Sequence, residues 1–195
     1  WAYQPLQTPA IPKVSDAAWP ANDIDRFILA RLEAAGLPPG PDAREITLIR
    51  RLHFDLIGLP PTPEQIARFV DNTSPEAYEN LVDQLMESPR FGERWGRHWL
   101  DVSRFAESMS LRGALLKHAW RYRDYVIESF NDDLPYDQFL TQQLAGDLLK
   151  ATSVEAQRRN LIATTYLLMG DALLENQDKS QLDMDYVDEQ LDAIG

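Results

Sequence analysis

The sequence holds no cysteine in its 195 residues. Within these residues that excludes a disulfide, a thiolate zinc site, an iron–sulfur cluster and a covalently attached haem. It does not fix a redox compartment, because a cysteine-free domain of this size folds in either environment. Histidine is scarce as well, with His53, His98 and His118 the whole complement. A multi-histidine metal site would need all three, drawn from three different helices. No stretch approaches the roughly 20 apolar residues of a membrane-spanning helix, and no charged-then-apolar leader opens the chain. Basic charge is outweighed by acid, 19 Lys and Arg against 31 Asp and Glu, for a net charge of −12. That balance argues against nucleic acid as a partner, since duplex affinity rests on cations that neutralise phosphates. Strand-like alternation is missing too, and so are a Gly-rich phosphate loop, a His-Glu-x-x-His pair and a Gly-x-Ser-x-Gly elbow.

What is present is the composition of an ordinary globular protein, 44% apolar and 26% charged. Pro5, Pro9, Pro12 and Pro20 each remove a backbone donor and restrict the residue before them. Residues 1–21 therefore read as an extended Pro-rich arm, with Trp1, Tyr3 and Trp19 to lay it against the domain. Residues 22–195 read as a single helical domain, its acidic end 171–195 loosely packed. Asn22 is placed to cap a first helix bearing Ile24, Phe27, Ile28 and Leu32. Gly36 ends that helix, and a second, over about 43–57, stops at Gly58-Leu59-Pro60-Pro61, glycine taking the left-handed position and proline forbidding continuation. Thr62-Pro63-Glu64-Gln65 opens a third as a capping box. Ser74-Pro75 opens a fourth bearing Tyr78, Leu81, Val82 and Leu85. Further helices are predicted over about 90–106, 117–131 and 156–169, and another, after Asp133-Leu134-Pro135, carries Tyr136, Phe139, Leu140 and Leu144 on one face. Residues 171–183 read as a loop, and Met184, Val187, Leu191 and Ile194 as one face of a last helix. The fold class is all-α, a compact array of eight or nine short helices.

Charge is unevenly distributed. Arg90 to Arg123 carries eight Lys and Arg against three Asp and Glu, whereas Asp171 to Asp192 carries eight acids against Lys179 alone. The acids Asp183, Asp185, Asp188, Glu189 and Asp192 lack the glycine and terminal glutamate of a calcium loop and read as a solvated helix face. In the basic stretch, Arg94, Trp95, His98, Trp99, Asp101 and Arg104 fall within three helical turns. His98 and Asp101 are three apart, a spacing at which a carboxylate can orient an imidazole. Downstream, Trp120, Arg121, Arg123 and Asp124 again combine aromatic and arginine. Arginine beside tryptophan can grip a carboxylate or sulfate while the ring stacks on a sugar face. The same residues can also be core rings and ion pairs, with Arg121 or Arg123 bound to Asp101 or Asp124 to lock two helices together. His53, in an apolar helix, reads as a packed, hydrogen-bonded core residue.

Several motifs together resemble one family. They are Asn22-Asp23-Ile24-Asp25-Arg26-Phe27-Ile28, Arg50-Arg51-Leu52-His53-Phe54-Asp55-Leu56-Ile57-Gly58-Leu59-Pro60-Pro61-Thr62-Pro63, Arg94-Trp95 through Asp101, Trp120-Arg121-Tyr122-Arg123-Asp124-Tyr125-Val126-Ile127, Pro135-Tyr136-Asp137, and Gln143-Leu144-Ala145-Gly146-Asp147-Leu148-Leu149. The chain resembles the planctomycete cytochrome-c-associated domain of unknown function, the second of the domains labelled PSCyt, from Trp1 to Gly195. The resemblance implies an extracytoplasmic (periplasmic or secreted) multidomain protein whose neighbouring domains are the natural partners. In relatives, the segment matching Asp188 to Asp192 leads into a Cys-x-x-Cys-His motif, the signature of covalent haem attachment. The resemblance thus implies a boundary just before that motif, no cofactor within these residues, and haem c in adjacent regions of the parent protein. Two functions are expected of such a domain. The first is a helical structural and interaction module without its own catalysis; the alternative is a carbohydrate-active domain that binds or cleaves acidic or sulfated polysaccharide.

Overall fold

The helical period of the sequence is realised as α1 (Asp23–Ala34), α2 (Glu45–Leu56), α3 (Pro63–Val70), α4 (Ala77–Met86), α5 (Pro89–Val102), α6 (Trp120–Asn131), α7 (Tyr136–Ala145), α8 (Val154–Ala163) and α9 (Lys179–Ile194). The structure, a computed structural model, describes residues 5, 7–109, 114–169 and 178–194. Tight 3₁₀ turns follow α7, over Gly146–Leu148, and α8, over Thr164–Leu168. The architecture is all-α, and its extended pairing among the described residues is a two-residue antiparallel ladder, Ser108–Met109 against Ala114–Leu115. A ladder that short leaves no alternation to read.

Local capping sets the helix starts. Asn22 accepts from the Asp25 N–H at 3.0 Å while the Asp25 carboxylate accepts from the Asn22 N–H. Thr62 and Gln65 repeat that reciprocal box at α3, with Pro63 in the first turn. Ser88 and Ser153 cap α5 and α8 in the same way from one side. Several helices start or stop away from their expected bounds: α4 begins at Ala77 and α6 at Trp120, and α5 ends at Val102. Residues 171–177 lie outside the described residues, but Lys179–Asp183, expected as loop, form the first turns of α9. There Asp178 accepts from the Ser180 and Gln181 N–H groups, so an acid read as a loop residue caps the helix. The helix predicted over 156–169 tightens to 3₁₀ after Ala163.

Helix ends follow one backbone scheme with two kinds of residue. Gly36 takes φ +68° and the Leu37 N–H donates to the Leu32 carbonyl; Gly58 takes φ +71°. Arg104 and Asp133 also hold positive φ, 55° and 48°. Phe105 N–H donates to Leu100 O and Leu134 N–H to Ser129 O, each at 2.9 Å, closing the same wide turn that glycine normally permits.

Contacts divide the chain into two compact units between Arg44 and Glu45. In the first, Trp1 and Tyr3 lie outside the described residues, and the end of the arm is bonded to α1: the Glu33 carboxylate accepts from the Ser15 N–H at 2.8 Å, and Asp16 accepts from the Ala18 and Trp19 N–H groups. The second unit packs α5 to α8 around Tyr122, Tyr125, Val126, Phe139, Ala163 and Met169, and it buries Ile49, His53 and Leu85 where α2, α3 and α4 meet.

Candidate functional site

The basic, aromatic-rich segment lies on α5 and α6, and two glycines decide how those helices meet. Gly92 and Gly96, one turn apart and both buried, put the α5 backbone against α6. A Cβ on Gly92 would sit 2.3 Å from the Ile127 carbonyl oxygen, and one on Gly96 would sit 3.4 Å from Val126. In the resulting gap Asn131 bridges the helices. Its Oδ1 accepts from the Gly92 N–H at 2.8 Å, and its amide donates to Pro89 O at 3.2 Å. A free N–H in the first turn of α5 is thereby satisfied from the end of α6.

Close approach at the glycines brings Trp99 onto a polar knot. The Trp99 indole N–H donates to Tyr122 Oη at 3.0 Å and to Gln143 Oε1 at 2.9 Å, and the Tyr122 hydroxyl donates to the same Gln143 oxygen at 2.6 Å. Gln143 in turn donates to Phe139 O. Tyr122 and Gln143 are fully buried, so each polar group here has a protein partner in place of water. Burial pushes the Tyr122 hydroxyl well above the usual tyrosine range, and pushes Tyr125 up to about 12. The Trp99 ring packs edge-on against Phe139 at 4.9 Å and stacks with Tyr166 at 6.0 Å.

The remaining predicted residues are distributed around this knot. Arg94 lays its side chain against the end of α2, where a Cβ on Gly58 would be 3.0 Å from Arg94 Cδ; the Arg94 Nε is buried with no partner among the described residues. Trp95 is 37% exposed, its ring 5.3 Å from that of His98. Asp101 pairs with Arg97 on its own helix at 3.8 Å, and no hydrogen bond joins it to His98 among the described residues. Arg104 reaches Glu189 of α9 at 2.8 Å. Arg123 pairs with Asp124, its neighbour on α6, at 2.8 Å and with Glu107 at 3.5 Å. Of the pairs considered as a lock between α5 and α6, Arg123 with Asp124 forms but lies within α6, while Asp101 is taken by Arg97 of α5. The charged tie onto α6 comes from Arg159 of α8, at 2.9 Å from Asp132. Trp120 is 45% exposed with the Arg121 guanidinium over its ring at 5.5 Å, and Arg121 has no carboxylate partner among the described residues.

Beside Trp99, an open apolar cleft of about 380 Å³ runs between Phe91, Phe130, Leu134, Tyr136 and Phe139. Among the described residues no group of three or more His, Asp or Glu is placed to hold a metal, and no helix is long and apolar enough to cross a membrane.

A family model described as PSCyt2, a protein of unknown function (DUF1549), matches residues 23–195. The chain belongs to this family. The match begins at the first residue of α1, so the resemblance expected from Trp1 onward covers the helices and stops short of the arm. Every predicted site residue of this PSCyt2 chain, and the Trp99–Tyr122–Gln143 knot, falls inside it. No curated protein and no solved structure matches the chain. Reading the segment for Arg and Trp passes over Gly92, Gly96, Asn131, Tyr122 and Gln143, which set its geometry. Two glycines four apart inside a helix were the available signal, because each weakens a helix unless something packs against it.

Proposed function

We propose that this PSCyt2 domain is a helical interaction module, acting by contact and without its own catalysis, in an extracytoplasmic multidomain protein that carries haem c in adjacent regions. The observation that carries this reading is that most of the charged groups along this segment are already paired within the fold. Asp101 is held by Arg97, Arg123 by Asp124 and Glu107, and Arg104 by Glu189. Trp99 is tied into the core by its own N–H. What the two helices present outward is aromatic surface with arginine, Trp95 and Trp120 under Arg121, to which α7 adds Tyr136 at the cleft. Aromatic residues and arginine are enriched in protein interfaces, so neighbouring domains of the same protein are the proposed partners.

A second reading keeps one observation: Arg121, lacking a carboxylate and stacked on Trp120, is free to meet the sulfate of an anionic polysaccharide. Hydroxyl-radical footprinting of the intact parent protein, with and without dextran sulfate, separates the two. The interaction module predicts that Trp95, Trp120 and Tyr136 are oxidised as slowly as Trp99 without any polysaccharide. Rapid oxidation of Trp120 that dextran sulfate suppresses, and that Arg121→Gln makes insensitive to it, would transfer the function to glycan binding.

A further inference from the structure

The cleft beside Trp99 is walled mainly by rings. Phe91 and Trp99 of α5, Phe130 of α6, and Tyr136 and Phe139 of α7 all line it. Neighbouring rings meet at steep angles: Trp99 stands at 80° to Tyr136 and 69° to Phe139, and Phe130 at 68° to Phe139, with centroids 4.9 to 6.5 Å apart. The polar groups of these walls are largely engaged. The Trp99 indole N–H donates to Gln143, and the Ser129 hydroxyl donates to Tyr125 O while accepting from Arg159. Tyr136 is the most exposed of the five rings, at 66%.

Charge around the cleft is of one sign. From Asp124 to Leu149, the stretch that supplies three of the rings, there are six Asp and Glu and no Lys, Arg or His. Asp133 is the charged residue of the lining, and it forms no ion pair within 4.0 Å among the described residues. The cations close by are already matched. Arg159, at 3.3 Å from Ser129 Oγ, is held by Asp132 at 2.9 Å, and Arg90, next to Phe91 in the chain, is held by Glu93 at 2.8 Å. The face of an aromatic ring is the negative pole of its quadrupole, so rings and carboxylate favour the same guest, a cation. At about 380 Å³ the cleft has the volume of a small-molecule site.

Which cation follows from the shortage of acceptors. An ammonium brings three N–H donors and a guanidinium five, and against these walls most of them go unpaired at a cost. A quaternary ammonium carries a full positive charge with no N–H to satisfy, and its methyl groups gain from burial against rings. We propose that this cleft is a binding site for a small quaternary ammonium compound of the choline type. The trimethylammonium group sits among Trp99, Tyr136 and Phe139, and Asp133 balances its charge. The site goes beyond the interface reading and does not rest on it, although Tyr136 belongs to both.

The probe is choline chloride, titrated into the intact, nitrogen-15-labelled chain against matched sodium chloride and read from the Trp99 indole N–H signal and by calorimetry. The expected result is saturable binding that moves that signal. The neutral carbon isostere of choline, with a tert-butyl group in place of trimethylammonium, binds at least about fivefold more weakly. Ethanolamine, which keeps the charge but brings N–H donors, is weaker by a similar factor of about five. Because removing Trp99 endangers the core, the deciding variants are at exposed Tyr136 and Asp133. Tyr136→Leu keeps apolar surface without the quadrupole and weakens choline about fivefold, whereas Tyr136→Phe binds it as before. Asp133→Asn, a residue that also tolerates the left-handed backbone, weakens choline about fivefold and leaves the isostere unchanged. All three variants keep the melting temperature. A Trp99 signal that millimolar choline leaves unmoved would mean that the cleft takes no such cation, and the site would be withdrawn. Equal binding of the isostere, or choline binding that either Tyr136→Leu or Asp133→Asn leaves intact, would equally overturn it. None of these outcomes touches the footprinting expected at Trp95 and Trp120.

Discussion

A methyl group added at Gly92 would meet the Ile127 carbonyl at 2.3 Å and the Asn131 side chain at 2.6 Å, and the carbonyl belongs to a helix that cannot yield locally. At Gly96 the nearest atoms are 3.4 Å away and belong to side chains. The two glycines look alike in the sequence and should respond oppositely. Gly92→Ala is expected to cost about 2–4 kcal/mol, as overpacking plus loss of the Asn131 bridge. Gly96→Ala is expected to be neutral or to stabilise by up to about 1 kcal/mol, since alanine is the better helix former. Urea unfolding of both variants checks this; equal effects would mean that the α5–α6 approach is not set at Gly92. Their spacing was legible in the sequence, whereas their inequality depends on which atoms of α6 face each one, and no local pattern encodes that. Gln143 was hidden for the same reason. A glutamine on an amphipathic helix reads as surface until Trp99 and Tyr122, 44 and 21 residues away, are folded against it.

Helix starts were read correctly at Asn22 and Thr62 because capping is a transaction within four residues. Helix ends were read correctly at Gly36 and Gly58, where glycine announces the left-handed turn. The end of α6 at Asn131 agrees with the sequence as well, but that of α5 does not, because at Arg104 a residue with a Cβ holds the same conformation. Arg104 offers a test of why α5 ends on such a residue, since its side chain reaches Glu189 of α9. Arg104→Gly relieves about 1 kcal/mol of backbone strain and gives up an exposed pair worth roughly 0–1 kcal/mol. Global stability should hold or rise slightly while amide exchange in α9 accelerates. Arg104→Ala keeps the strain and loses the pair, so it should be the less stable of the two by about 1 kcal/mol. If α9 exchanges at its original rate in both variants, the arginine does not tether that helix.

Across the larger unit, the buried tyrosines tie stability to alkaline pH. Tyr122 and Tyr125 hold their protons above the value near 10 of an unfolded tyrosine, chiefly because burial penalises the phenolate. Between about pH 10 and about pH 12 the unfolded chain releases protons that the folded chain keeps. Their contribution is thus complete below pH 10 and is lost as pH rises through the folded value. Urea midpoints should fall steeply over that window, and Tyr122→Phe should make the fall shallower. A midpoint that stays level above pH 10, or a slope that the variant leaves unchanged, would contradict this.

The tie between the Trp99 indole and Gln143 also divides the molecule optically. Trp99 is half-buried against Tyr122, Phe139 and Tyr166, whereas Trp19, Trp95 and Trp120 are exposed. A water-borne quencher such as iodide dims the exposed rings first and leaves Trp99 glowing. The described tryptophans are therefore two kinds of lamp. Trp95 and Trp120 darken or brighten as partners cover the α5–α6 surface, and Trp99 reports on the packing beneath it.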